Sequence, residues 1–339
     1  MSELLKSVES CSKIISIKKQ RKGWGMSETL FADLFRKGQP LLKVLPELLA
    51  DHTTGKNIVW ATDTYTEHGS KYGKEKQIFT DLALEVITDG TMLPRIQKTQ
   101  AQQQARTRAK AEVFTPSWIC NKMNNFCDDQ WFGRKGVFNT ENEDNTWTVN
   151  ENKIDFGEAT GKNQEEWMRY VDSKRIEITC GEAPYLFSRY DATTGRPLAL
   201  KERIGILDRK MRVVNENTED EKEWLKWAYR AFEACYGFEY QGDSLFFARV
   251  NMVQSFRDYY KDRFGKEPAS NQIKKIANVA SWNIWQMDGL KDTIPYGVPE
   301  DEYQQLSLFE EVKEVGQMFC KIKDWRSKKT IEYRSMKGA

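Results

Sequence analysis

Apolar residues recur at helical spacing along most of the chain and give way three times to short runs that end in glycine or an acid. Ile176 and Ile178 alternate with polar neighbours, so residues 175–179 read as a strand. Cys180-Gly181-Glu182-Ala183 breaks it, and Pro184 suits the first turn of a following helix, where its missing N–H costs nothing. A basic amphipathic segment over 197–214 (Arg203, Arg209, Lys210, Arg212) and a helix over 219–235 lead to a second strand, 236–240, ending on an acid at Glu239. Asp243 or Ser244 then caps a helix with Leu245, Ala248, Met252, Phe256 and Tyr259 at helical spacing, closed by Gly265. Another helix around 273–280 feeds a third strand, ending at Asp288 and Gly289.

The first third is mainly helical by the same criterion. Ser27 and Glu28 open a helix through Leu30, Phe31, Leu34 and Phe35 that Pro40 ends, and a second helix covers 41–49. A turn at 51–56, a buried strand over 57–63 and a helix over 77–87 follow. Residues 94–110 contain no acid and carry Arg95, Lys98, Arg106, Arg108 and Lys110 among glutamines and alanines. This reads either as a helix that tracks a phosphate backbone or as a solvated surface helix. Ser117 caps a helix with Ile119, Met123, Phe126 and Cys127 on one face. Between 141 and 172 there are nine acidic side chains against three basic ones, so 128–172 reads as a long surface insertion.

Composition narrows the class. With 339 residues, 39% hydrophobic and 30% charged, the chain has material for a sizeable core, and a net charge of +2 makes any nucleic-acid surface local. No apolar run approaches the roughly 18 residues of a membrane helix, and the N-terminus lacks a signal peptide's apolar centre. The six cysteines form no C-x-x-C pair, which argues against a zinc site and fits a reducing, cytoplasmic compartment. Only His52 and His68 are present, so a histidine triad or histidine-rich metal site is not expected. A nuclease needs clustered acids beside a lysine, and Asp172-Ser173-Lys174 is a poor match.

Gly181, Glu239 and Asp288 therefore stand at three successive strand ends separated by helices. In a doubly wound sheet such ends converge on one crevice at the carboxyl edge. A glycine turn admits a ligand to the backbone, an acid at the second strand takes ribose hydroxyls, and an acid at the third accepts from an exocyclic amine. The pattern points to a nucleoside cofactor.

The same residues carry a resemblance. Phe114-Thr115-Pro116 resembles the (Y/F)-T-P signature of N6-adenine DNA methyltransferases of the γ arrangement, which include the modification subunits of restriction–modification systems. Thr179-Cys-Gly-Glu-Ala-Pro-Tyr-Leu186 is similar to their A-C-G-S-G-G-F-L loop. The segment 236–245 with Ala248-Arg-Val-Asn251 resembles their second motif, and Gln286-Met-Asp-Gly-Leu290 their G-D-x-L. The likeness covers about residues 106–292. It implies an α/β, Rossmann-like S-adenosylmethionine-dependent methyltransferase fold over 106–339, with insertions at 128–172 and 187–235, behind a mainly helical region over 1–105. It implies S-adenosylmethionine as cofactor, flanked by Phe114, Thr115 and Pro116. Cys180, Gly181, Glu182 and Ala183 would surround its methionine part, Glu239 its ribose and Asp288 its adenine amine. The implied partners are double-stranded DNA, met by Arg95, Lys98, Arg106, Arg108 and Lys110, and a second subunit, with no metal and no membrane.

Two departures matter. Ala183-Pro184 stand where the family has a second glycine, and the catalytic (N/D/S)-P-P-(Y/F/W) does not follow Asp288. The nearest segment is Thr293-Ile294-Pro295-Tyr296, which leaves Tyr296 as the candidate to stack on a flipped base. Two functions follow: a methyltransferase-like subunit of a restriction–modification or phage-defence system, or an inactive methyltransferase-fold subunit that binds DNA and scaffolds or regulates a partner.

Overall fold

The chain is described by a computed structural model over residues 31–98, 115–157, 165–191, 193–297 and 318–337. The order of its elements begins with α1 (Pro40–Leu49), the hairpin β1 (Ala50–Asp51) and β2 (Lys56–Asn57), and α2 (Thr80–Thr88). Then come α3 (Ser117–Phe132), a second hairpin of β3 (Asn139–Glu141) and β4 (Trp147–Val149), and α4 (Glu166–Asp172). A central run follows: β5 (Arg175–Glu177), α5 (Ile206–Asn217), α6 (Glu221–Glu233), β6 (Cys235–Glu239), α7 (Gly242–Phe264), α8 (Ser270–Asn283) and β7 (Ile284–Gln286). The hairpin β8 (Lys321–Asp324) and β9 (Lys329–Glu332) closes the described chain.

The architecture is mixed α/β around a three-stranded parallel sheet in the order β5-β6-β7. Glu177 pairs with Gly237, Gly237 with Ile284 and Glu239 with Gln286, so the strands end nearly level. Alternation divides the sheet's faces between two cores. Cys235 and Ile284 turn into a large core with the helices, while Tyr236, Phe238, Trp285 and Met287 pack against Cys320, Ile322 and Tyr333 of the C-terminal hairpin. The large core also takes Leu41, Leu45 and Trp60 from the first third. At its centre the buried Arg249 of α7 donates to the carbonyls of Leu48, Ala50, Ser281 and Ile284 at 2.7–3.1 Å, tying the ends of α1 and α8 to β7.

Several local expectations change, each for a tertiary reason. Of the helix expected over 27–35, the described part, Phe31–Phe35, is a 3-10 turn, and Ser27, Glu28 and Leu30 lie outside the described residues. The strand expected over 57–63 shrinks to Lys56–Asn57. Beyond it the side-chain amide of Gln286 acts as a strand neighbour, accepting from Val59 N at 2.8 Å and donating to Val59 O at 2.9 Å. The apolar stripe expected to bury α3 faces outward: Met123 is half exposed and Phe126 is 62% exposed. The buried stripe is Cys120, Asn121, Asn124 and Asp128. Arg209, one of the basic residues of the amphipathic segment over 197–214, is buried against it, with Nη1 2.5 Å from Asp128 and Nη2 2.9 Å from Asn121 Oδ1. The segment 128–172 is more than surface, because Val137, Phe138, Ile154, Trp167, Tyr170 and Val171 all join the large core.

Among the described residues no helix is long and apolar enough to cross a membrane, and no group of three His, Cys, Asp or Glu side chains is placed to hold a metal.

Candidate functional site

The end of β5 inverts the reading of its own alternation. Ile178 is 65% exposed and Ile176 is half exposed, whereas Glu177 between them is buried. Its carboxylate accepts from the amides of Leu186 (3.1 Å) and Tyr185 (3.4 Å), in the turn beyond the glycine. Burial, reinforced by the nearby Glu239, pushes its pKa well above the usual carboxylate range.

After Glu177 the chain leaves the sheet, and Cys180 N donates to Phe238 O at 2.8 Å. Thr179, Gly181 and Ala183 take left-handed φ values of 46°, 55° and 62° in alternation, a conformation natural for glycine and strained for the other two. Gly237 makes room for this loop: a Cβ there would lie 3.2 Å from the Cys180 sulfur. The helix expected from Pro184 is a single turn, in which Phe187 N donates to Ala183 O at 2.8 Å, and α5 starts only at Ile206.

Glu239, at the end of β6, closes the loop from the other side. Its carboxylate accepts from Gly181 N at 2.8 Å and Gln241 N at 3.1 Å. Burial raises its pKa, and these two amides work against the rise. Glu182 is tied down separately, accepting from Arg95 N at 2.8 Å and from the Tyr190 hydroxyl. Asn251 of α7 braces this corner, donating to Glu182 O and the Tyr190 hydroxyl oxygen, each at 3.1 Å.

These groups border a cleft of about 710 Å³. Thr115, Cys180, Gly181, Glu182 and Glu239 of the expected cofactor site all line it, and Ala183 is buried in the same loop. Pro116 precedes α3 as its N-cap residue and does not line the cleft. Among the described residues the lining holds three acids, Glu177, Glu182 and Glu239, and no lysine or arginine. Such a wall favours hydroxyl and cationic groups and, among the described residues, offers a pyrophosphate no cationic side chain.

The other expected residues stand elsewhere. Asp288 is not in the cleft lining; its Oδ1 accepts from Leu290 N (3.0 Å) and Lys291 N (3.3 Å), holding its own turn. Tyr296 lines a separate cleft beyond β7. Arg95 lies in a 3-10 turn whose backbone reaches Glu182, and the Lys98 ammonium sits 5.7 Å from the Phe247 ring, so both are packed against the body. Phe114, Arg106, Arg108 and Lys110 lie outside the described residues.

Sequence reasoning missed Glu177, Tyr190 and Asn251. Asn251 sat inside a quoted motif, Glu177 was hidden by its two isoleucine neighbours, and nothing local marks Tyr190. In comparisons with protein-family models, curated proteins and solved structures, the chain matches none.

Proposed function

We propose that the chain holds S-adenosylmethionine in the glycine-loop cleft and serves as the cofactor-binding subunit of a DNA N6-adenine methyltransferase, in a cytoplasmic restriction–modification or phage-defence assembly. The observation that carries this reading is the joining of Gly181 and Glu239 by one hydrogen bond within a cleft whose described lining has acids and no lysine or arginine. The cofactor is a nucleoside with a sulfonium and an ammonium group, and it supplies the methyl group when bound. Its ribose hydroxyls suit a carboxylate at the end of β6, and its cationic groups suit Glu182, which lines the same cleft. Three parallel strands in sequence order, each pair joined through helices, are compatible with half of a Rossmann-like sheet.

A second reading has its own observation. Tyr296 lies outside the glycine-loop cleft, and no Asn, Asp or Ser precedes a proline after β7 within the described residues. On that ground the chain binds cofactor and DNA but transfers nothing until a partner polypeptide supplies the group that accepts from the target amine. Tritiated-methyl transfer to genomic DNA separates the two readings. Cofactor binding without transfer supports the partner-dependent role, and robust transfer by the chain alone, abolished by Tyr296→Ala, overturns it.

A further inference from the structure

Among the described residues the parallel sheet ends at β5, and that edge is open. Arg175 N donates to Ala234 O at 2.9 Å, so Arg175 and Glu177 make the ladder to β6. By alternation the N–H and C=O of Ile176 and the N–H of Ile178 point away from the sheet. None of these three groups has a hydrogen-bond partner among the described residues. Sheets commonly blunt such an edge with lysine, proline or a bulge. Here the exposed positions are two isoleucines.

The neighbour of this edge is apolar as well. Met123 and Cys127 of α3 line the same cleft as Ile176 and Ile178, and Phe126 stands exposed on the outward side of α3. The cleft thus has two parts. Gly181, Glu182 and Glu239 stand beyond the carboxyl end of β5, and an apolar part is bordered by β5 and α3. The described chain does not complete the sheet here. After β7 it runs into the hairpin of β8 and β9, which pair with each other and pack on the sheet's face against Tyr236 and Trp285. A second copy of the chain is ill suited to the edge, because α3 borders it and keeps two β5 strands from the spacing of about 4.8 Å that pairing requires.

We propose that β5 accepts an extended segment of a partner polypeptide as a fourth strand. The segment's backbone pairs with Ile176 and Ile178, and apolar side chains at its alternate positions pack on Met123, Cys127 and the two isoleucines. Strand addition of this kind takes its affinity from main-chain hydrogen bonds and its selectivity from the sites of alternate side chains. The charged groups that line the cleft among the described residues are all acids, so the segment carries none. The place of the edge fits this occupant. In a doubly wound sheet the fourth strand lies beside the first, and β5, β6 and β7 run away from this edge in chain order. The partner then stands next to the glycine loop, into which β5 leads. The inference does not rest on what that loop binds.

The test is amide hydrogen exchange of the full chain, read residue by residue, alone and with the capped peptide Lys-Val-Thr-Val-Thr-Val-Lys as the added strand. In the free chain the amides of Ile176 and Ile178 should exchange fast, and that of Glu177, bonded to β6, slowly. Peptide at roughly ten times its dissociation constant should slow exchange at Ile176 and Ile178 about tenfold. Ile176→Pro should abolish peptide binding. The N–H it removes is not used by β6, and edge positions tolerate proline, so the variant should keep the parent's thermal midpoint. If that variant does not fold, the effect of the peptide on the parent decides alone. The proposal is overturned if the peptide leaves both amides unprotected, or if it binds Ile176→Pro as tightly as the parent. It is equally overturned if both amides are already protected in the free chain. Protection lost on deleting residues 1–30 would give the edge to the chain's own N-terminus, and protection that grows with protein concentration would give it to a second copy. Titration of the same sample with S-adenosylmethionine reports on the glycine loop separately, so failure here leaves that reading untouched.

Discussion

Replacing Glu177 separates the acid's two effects on the loop, the hydrogen bonds it accepts and the charge it carries. Its carboxylate takes the amides of Tyr185 and Leu186, and a buried amide left without an acceptor costs about 1–3 kcal/mol. Glu177→Leu strands both, for a loss of roughly 2–5 kcal/mol, offset in part because a buried ionisable group is removed. Glu177→Gln keeps one acceptor and turns an NH2 towards the second amide, for a loss of about 1–2 kcal/mol at low pH. The pH dependence gives the sharper test. Because burial raises the folded-state pKa of Glu177, the folded protein keeps the proton after the unfolded chain has released it. The stability of the parent therefore falls as pH rises from the unfolded value, about 4.3, towards the folded one. The glutamine variant lacks this slope, so its deficit against the parent is largest near the bottom of that window and shrinks as pH rises. Urea denaturation followed by tryptophan fluorescence at stepped pH measures the difference. A deficit that is constant or grows with pH would mean that the carboxylate is ionised in the fold, and would refute the reasoning.

The fully buried Lys210, which donates to Ser173 O, has its pKa lowered by burial to about 8. The folded protein gives up this proton before the unfolded chain does, so parent stability rises between that value and roughly 10.4; Lys210→Met should remove the rise in pH-stepped denaturation. Asp288→Ala should cost about 1 kcal/mol of stability through its two turn amides and change S-adenosylmethionine affinity less than about threefold by calorimetry, since the carboxylate is spent on its own turn. Arg249→Met should destabilise by roughly 3–5 kcal/mol in urea, because four buried carbonyls lose their common donor.

What was legible in the sequence was chiefly what the backbone decides locally. Short alternating runs ending at a glycine or an acid mark β5, β6 and β7, and Gly265 closes α7 at φ 66° as a left-handed C-cap should. Alternation does not say which face of a strand is covered. Ile176 of β5 and Ile178 just beyond it point outward because the amides of the following turn need Glu177 inward. The polar inner face of α3 depends on Arg209, far along the chain, and the shortened strand at residue 57 on the side chain of Gln286. Asp288 shows how a motif match is spent locally: followed by glycine, an aspartate readily accepts from amides two and three residues on, and here it does. The glycine loop and Glu239 were legible because both sit at strand ends, where chain order fixes their proximity.

The central claim stands or falls on calorimetric titration of the purified chain with S-adenosylmethionine, beside Glu239→Ala. The account predicts one binding event, weakened about 10- to 100-fold in the variant, as expected for hydrogen bonds to a charged group worth 1.5–3 kcal/mol. No binding by the parent at millimolar ligand, or equal binding by parent and variant, would contradict it.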